Sequence, residues 1–162
     1  MHRALPLVLL LALITMSCGS DTPERRGDPL EPTFTKEGTL TFVGDNGQSI
    51  RTIDIELADT EPERRRGLMQ RRQMGYDKGM LFVFDDVSDS GMWMKNTPMP
   101  LDIIFVGPDS TVINVVKRTK PFSLESIQPT APKKFVVEVR AGFADRFGIT
   151  PGMRLRWSRS DS

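Results

Sequence analysis

The chain has one histidine, His2, and one cysteine, Cys18, and both stand at its extreme N-terminus. A domain built from the remainder has no imidazole and no thiol. That excludes Ser-His-Asp and Cys-His catalytic arrangements, a zinc site of the usual ligands and an internal disulfide. Long apolar runs are also scarce. The run over residues 4–14 is the longest, and it is shorter than the roughly 20 residues a helix needs to cross a bilayer. Charge of neither sign dominates: 22 Lys and Arg stand against 21 Asp and Glu. The first seventeen residues hold Arg3 and no acid, so residues 18–162 carry 21 of each sign. Balanced charge gives no general case for binding nucleic acid or an anionic membrane surface.

What is present suits one domain with a real core: 162 residues, 38% hydrophobic and 27% charged. Residues 1–17 read as a secretory signal, with a basic start, an apolar stretch and small or polar residues before Cys18. Thr15-Met16-Ser17-Cys18 resembles the lipobox of bacterial lipoproteins, in which the cysteine carries the lipid and becomes the new N-terminus. Gly19 stands where an inner-membrane retention signal resembles Asp, which favours the outer membrane. The expected location is therefore the bacterial envelope, lipid-anchored, on the periplasmic side. Residues 18–37 are rich in Pro, Gly and charge and read as a flexible linker, with a reach of about 25 Å.

The chain is organised around residues 91–106, Gly-Met-Trp-Met-Lys-Asn-Thr-Pro-Met-Pro-Leu-Asp-Ile-Ile-Phe-Val. Two apolar runs flank a turn of Asn96, Thr97, Pro98 and Pro100, a pattern that predicts a hairpin with Lys95 and Asp102 at its mouth. Such a pair reads either as a structural ion pair or as part of a site, and the register that would decide is not fixed by the pattern.

This stretch closely resembles the signature of the domain of unknown function 192 family (DUF192, also called UPF0127). Arg66-Gly67-Leu68-Met69 with Arg72, Gly79-Met80-Leu81-Phe82-Val83-Phe84, and Val136-Val137-Glu138-Val139 with Ala141-Gly142 and Gly152 agree in order. The resemblance covers residues 38–157, leaves 158–162 as a polar tail, and implies a compact α+β domain. The expected form is a mainly antiparallel or small barrel-like sheet with two or three short helices. It supplies no reaction.

Around that centre, residues 39–43 and 49–58 read as a second hairpin over the Gly44-Asp45-Asn46-Gly47 turn. Thr60 with Glu63 is a capping-box pattern opening a helix through Met69, whose Arg64, Arg65, Arg66, Arg71 and Arg72 form the one basic cluster. That cluster reads as a solvated face or, alternatively, an anion site. Residues 80–84 read as a buried strand and 85–90 as an acidic loop. Residues 111–116, 135–139 and 154–157 read as strands and 141–147 as a short helix, with 117–134 a long excursion of the kind that is often functional.

The candidate ligand-binding residues are Lys95, Asn96, Thr97 and Asp102, with Arg66 and Glu138 as additions. A small ligand or an envelope protein is the expected partner, besides the membrane itself. Lys95 and Asp102 are also the only acid-base pair in the signature, the alternative of a small envelope enzyme, although no nucleophile stands out. Met92, Met94 and Met99 offer thioethers of the kind that suit Cu(I), against the commoner role of methionine as core filler. No cofactor is expected.

Overall fold

The computed structural model describes residues 31–160. The expected signal segment, Cys18 and most of the linker lie outside the described residues.

Among the described residues seven strands form one sheet, in the order β5-β4-β6-β3-β2-β1-β7. They are β1 (Gly38–Val43), β2 (Ser49–Ala58), β3 (Lys78–Ser88), β4 (Leu101–Val106), β5 (Val112–Val116), β6 (Lys133–Arg140) and β7 (Arg154–Arg159). Two short helices accompany them among the described residues, α1 (Glu61–Arg66) and α2 (Phe143–Phe147). β1 and β2 form the hairpin expected from their turn chemistry. Gly47 takes φ 77°, and its N–H donates to the Gly44 carbonyl at 2.8 Å. All neighbouring strands run antiparallel except β2 and β3, which are parallel and joined by the connection carrying α1.

The sheet is mostly antiparallel, as expected, and does not close into a barrel. Its two edges approach at one end, where Thr111 bridges Arg154, the Leu155 N–H donates to the Ser110 carbonyl and the Val112 N–H to the Met153 carbonyl, both at 2.8 Å, and the Gly152 N–H donates to the Val112 carbonyl at 2.9 Å.

α1 opens as its sequence dictates. Glu63 reaches back to accept the Thr60 N–H at 3.0 Å, and hydrogen bonds from Thr60 hold the Glu63 carboxyl below its usual range. The helix stops at Arg66, short of the expected Met69, because Gly67 turns to φ 48° and ψ −136°. A side chain there would also press on Phe82, 3.1 Å from the position of its Cβ.

The central hairpin does not form. Both edges of β4 are already taken, by β5 and β6, so the first arm has no edge to join. Pro98 and Pro100 have no N–H to give a ladder. Residues 91–94 instead meet the long excursion: Met92 bridges Ile127, and the Met94 N–H donates to the Ser123 carbonyl at 3.0 Å. The acidic stretch is likewise not a plain loop. β3 continues to Ser88, with a register shift between Val83 and Ser88 that sets Ser88 opposite Lys133.

Alternation along the strands divides the core in two. Val137 and Val139 of β6 pack in a cluster with Phe42, Ile104 and the α2 residues Phe143 and Ala144. Val136 packs in a second cluster with Met80, Phe82, Met94, Met99, Leu101 and Ile103, beneath residues 68–74 and 91–99.

Candidate functional site

The structure separates the residues that the signature groups together. Asp102 is fully buried in β4, and its two carboxylate oxygens accept the N–H groups of Arg118, at 2.8 Å, and Ala144, at 2.9 Å. It ties the excursion and the start of α2 to the sheet. Lys95 is exposed, with its ammonium 5.3 Å from the Trp93 ring, and makes no ion pair with Asp102. Asn96 occupies the left-handed region at φ 54°, and its carbonyl accepts the Gln70 N–H at 2.8 Å. Thr97 is buried, donates its hydroxyl to the Lys95 carbonyl at 3.2 Å and accepts the Phe122 N–H on its own carbonyl. These four residues are therefore the framework of the 91–127 region and do not converge as a pocket.

The three methionines serve the same framework. Met94 and Met99 are buried in the second cluster, Met92 packs against it, and the Met94 thioether accepts the Thr119 hydroxyl at 3.1 Å. Among the described residues no group of three or more acidic, histidine or cysteine side chains is placed to hold a metal ion.

Glu138 is different. It is 4% exposed and shares a sheet face with Val136 and Arg140, its cross-strand neighbours being Met80 and Ile103. No donor among the described residues hydrogen-bonds its carboxyl. Burial pushes its pKa up to about 8, so the group is a neutral acid through much of the physiological range. In the same cross-sheet row, Glu56 of β2 stands on the other side of Met80 and is paired with Arg71 at 2.6 Å, both side chains buried.

One step along this face the polar character continues into a cleft. Lys78 lies one residue before Gly79 and Arg140 one after Val139, and Gly79 and Val139 are paired, so the two cations are set side by side on adjacent strands. Both line a cleft of about 690 Å³ with Arg71, Gln73, Met74 and the residues 31–34. Glu31 is its one acidic lining residue among the described residues. Neither Lys78 nor Arg140 has a carboxylate partner among the described residues; Lys78 rests on Phe34 and Arg140 on Tyr76. A second hollow shares Gln73, Met74 and Arg140 with the first and adds Arg72, Met99 and Pro100.

Arg66 is exposed and opens onto a smaller hollow of about 240 Å³ beside Glu37, Glu56 and Glu63. Its neighbours have structural roles: Arg64 donates to the Asp59 and Val83 carbonyls and pairs with Asp85, while Arg65 pairs with Glu61.

Sequence reasoning missed Lys78, Arg140 and Arg71 as a group. Their signal was the strand register, which sets residues 78 and 140 together although 61 positions separate them. It also missed Lys133, a fully buried lysine whose ammonium lies 2.8 Å from the Ser90 hydroxyl oxygen.

Comparison with known proteins fits this geometry to a family. The profile of the DUF192 family, described as uncharacterized ACR, matches residues 42–157. The chain belongs to the DUF192 family. A UPF0127 protein of Pyrococcus furiosus is 28% identical over 118 residues, which cover 70% of this chain and 93% of that protein. A crystal structure from Novosphingobium aromaticivorans, of a protein of unknown function, is 36% identical with a TM-score of 0.69, covering 74% of this chain and 84% of that one. Another, from Sinorhizobium meliloti, is 35% identical with a TM-score of 0.72, covering 78% and 98%. That protein is described as a candidate transcription regulator. The DUF192 fold is thus shared, and the family as described has no assigned function.

Proposed function

We propose that this DUF192 protein is a binding module of the bacterial envelope, anchored through a lipid on Cys18, whose site is the cleft between residues 31–34 and the paired ends of β3 and β6. Its ligand is a small molecule with a carboxylate or phosphate beside an apolar portion. The observation that carries this reading is the juxtaposition of Lys78 and Arg140. Like charges set opposite each other on neighbouring strands repel, and no carboxylate among the described residues offsets them. An anion held between them would convert that repulsion into two charge-assisted contacts. Asp54, the neighbour of Lys78 on β2, is engaged by Lys36 at 2.7 Å. Met74 and Phe34 in the lining supply apolar contact for the rest of the ligand.

Calorimetric titration with inorganic phosphate and with octanoate tests this. Binding that weakens at least tenfold in Lys78→Ala and in Arg140→Ala supports the cleft; affinities unchanged in both variants overturn it. The anchor is tested separately. Cys18→Ser should move the protein from the membrane fraction to a soluble or uncleaved form, and unchanged fractionation would overturn the lipoprotein reading.

The enzyme built on Lys95 and Asp102 has no geometric support. Both oxygens of Asp102 are committed to backbone N–H groups, and Lys95 lies over Trp93.

A further inference from the structure

On the other flank of the second core cluster, the register shift in β3 brings Ser88 opposite Lys133, at the start of β6. Lys133 is fully buried. Its ammonium nitrogen lies 2.8 Å from Ser90 Oγ, 3.3 Å from Ser88 Oγ and 4.1 Å from the centre of the Phe84 ring. Burying a lysine is costly, and among the described residues this one has no ion-pair partner. Burial pulls its pKa below the ordinary lysine value, while Asp89 acts in the opposite sense. Of the other charges of this flank, Lys134 donates to the Asp85 carbonyl and the Asp85 carboxylate pairs with Arg64, while Asp86 is exposed on β3. A serine hydroxyl both donates and accepts, so the same short contact runs from Ser90 O–H to a neutral lysine nitrogen once the proton leaves.

Next to Ser90 and Phe84 lies a groove of about 350 Å³ with an apolar wall of Phe82, Phe84, Met92, Trp93 and Leu124, closed by Gly91 and Ser126 and rimmed by Glu61, Arg64 and Arg65. Trp93 and Leu124 are 48% and 70% exposed, a large apolar surface that the core does not use. Gly91 follows Ser90 directly, and its N–H has no hydrogen-bond partner among the described residues. A Cβ at Gly91 would stand 2.3 Å from Ser126 Oγ and 2.8 Å from the Ile127 carbonyl oxygen, so the backbone is held close against the excursion.

We propose that Ser90 and Lys133 are a nucleophile and general-base pair that cleaves esters of apolar acyl groups seated in this groove. Ser90 Oγ bonds to the ester carbonyl carbon as its proton passes to Lys133 Nζ, and the Gly91 N–H faces the developing oxyanion. The carbon–oxygen bond to the alcohol then breaks, and Nζ returns the proton to the departing alkoxide. Water attacks the acyl-serine with Nζ again taking the proton, which goes on to Ser90 as the carboxylic acid leaves. A lysine in place of histidine suits a domain that has no imidazole. The site lies at the opposite ends of β3 and β6 from Lys78 and Arg140, shares no lining residue with the anion cleft, and stands or falls independently of it.

The test uses the full chain in detergent, a fluorophosphonate probe with peptide mass mapping, and hydrolysis of p-nitrophenyl octanoate. The adduct is expected on Ser90, with labelling that rises with pH as Lys133 loses its proton. Ser90→Ala should abolish labelling and lower hydrolysis at least a hundredfold, while Ser49→Ala, at an exposed position of β2 away from the groove, leaves both unchanged. Lys133→Met should slow labelling at least a hundredfold; circular dichroism establishes that it is folded, and mapping on the unaltered protein decides the matter if it is not. An adduct absent from Ser90, or hydrolysis undiminished in a Ser90→Ala variant shown to be folded by circular dichroism, overturns the proposal.

Discussion

Replacing Asp102 by alanine removes both acceptors that hold the Arg118 and Ala144 N–H groups to β4. Hydrogen bonds to a charged group contribute about 1.5 to 3 kcal/mol each. The contact to Ala144 is buried, and its N–H would be left without a partner. Arg118 is exposed, and its N–H can recover part of its hydrogen bonding from water. The sum is about 3 to 4 kcal/mol of lost stability. Lys95→Ala removes only an exposed contact over Trp93, worth about 0.5 to 1 kcal/mol. Because the two side chains share no partner, the double variant should equal the sum of the singles within about 0.5 kcal/mol. Urea midpoints for the parent, both single variants and the double measure all three quantities. A loss below about 1 kcal/mol for Asp102→Ala, or strong coupling between the two positions, would refute the account of Asp102 as a backbone tie.

The sheet face beneath the cleft should respond to pH. The raised pKa of Glu138 means that the unfolded chain ionises near 4.5 while the folded chain holds its proton to about 8. Stability should therefore fall as pH climbs through that interval, by on the order of 5 kcal/mol. Glu138→Gln should flatten this dependence and be relatively more stable at pH 9; denaturant midpoints from pH 5 to 9 check it, and a parent curve no steeper than the variant's would contradict it. Arg71→Ala should cost about 3 to 5 kcal/mol by stranding Glu56 in the interior, whereas Arg71→Met combined with Glu56→Leu should recover most of that loss in thermal unfolding. Glu63→Ala should cost about 1 kcal/mol by removing the carboxylate that accepts the Thr60 N–H at the start of α1, read by the same midpoints.

The elements governed by local chemistry were legible in the sequence. The turn at residues 44–47, the capping box at Thr60 and Glu63, and the apolar runs of β4 and β6 all formed as their patterns indicate. The errors share a cause in long-range competition. The run at residues 91–94 is strand-like in composition, but β4 had two better neighbours, β5 and β6, and the arm fell to the excursion. For the same reason Lys95 and Asp102, close in sequence, acquired different partners. Glu138 was named only as an addition to the Lys95 and Asp102 group, and its burial without a partner shows only once β6 is placed between β3 and β4. Lys78 and Arg140 were not named, since each looks like an ordinary charge at a strand end until the register of β3 and β6 is known. Lys133 was hidden by its position beside Lys134 in a polar stretch.

The central claim, that the cleft over β3 and β6 takes an anion, is tested most directly by mapping backbone amide shifts as inorganic phosphate and then octanoate are added to the protein. The account predicts changes concentrated at residues 31–34, 71–78 and 139–141, and their loss in a Lys78→Ala, Arg140→Ala double variant. Changes confined to other regions, or undiminished in the double variant, would contradict it.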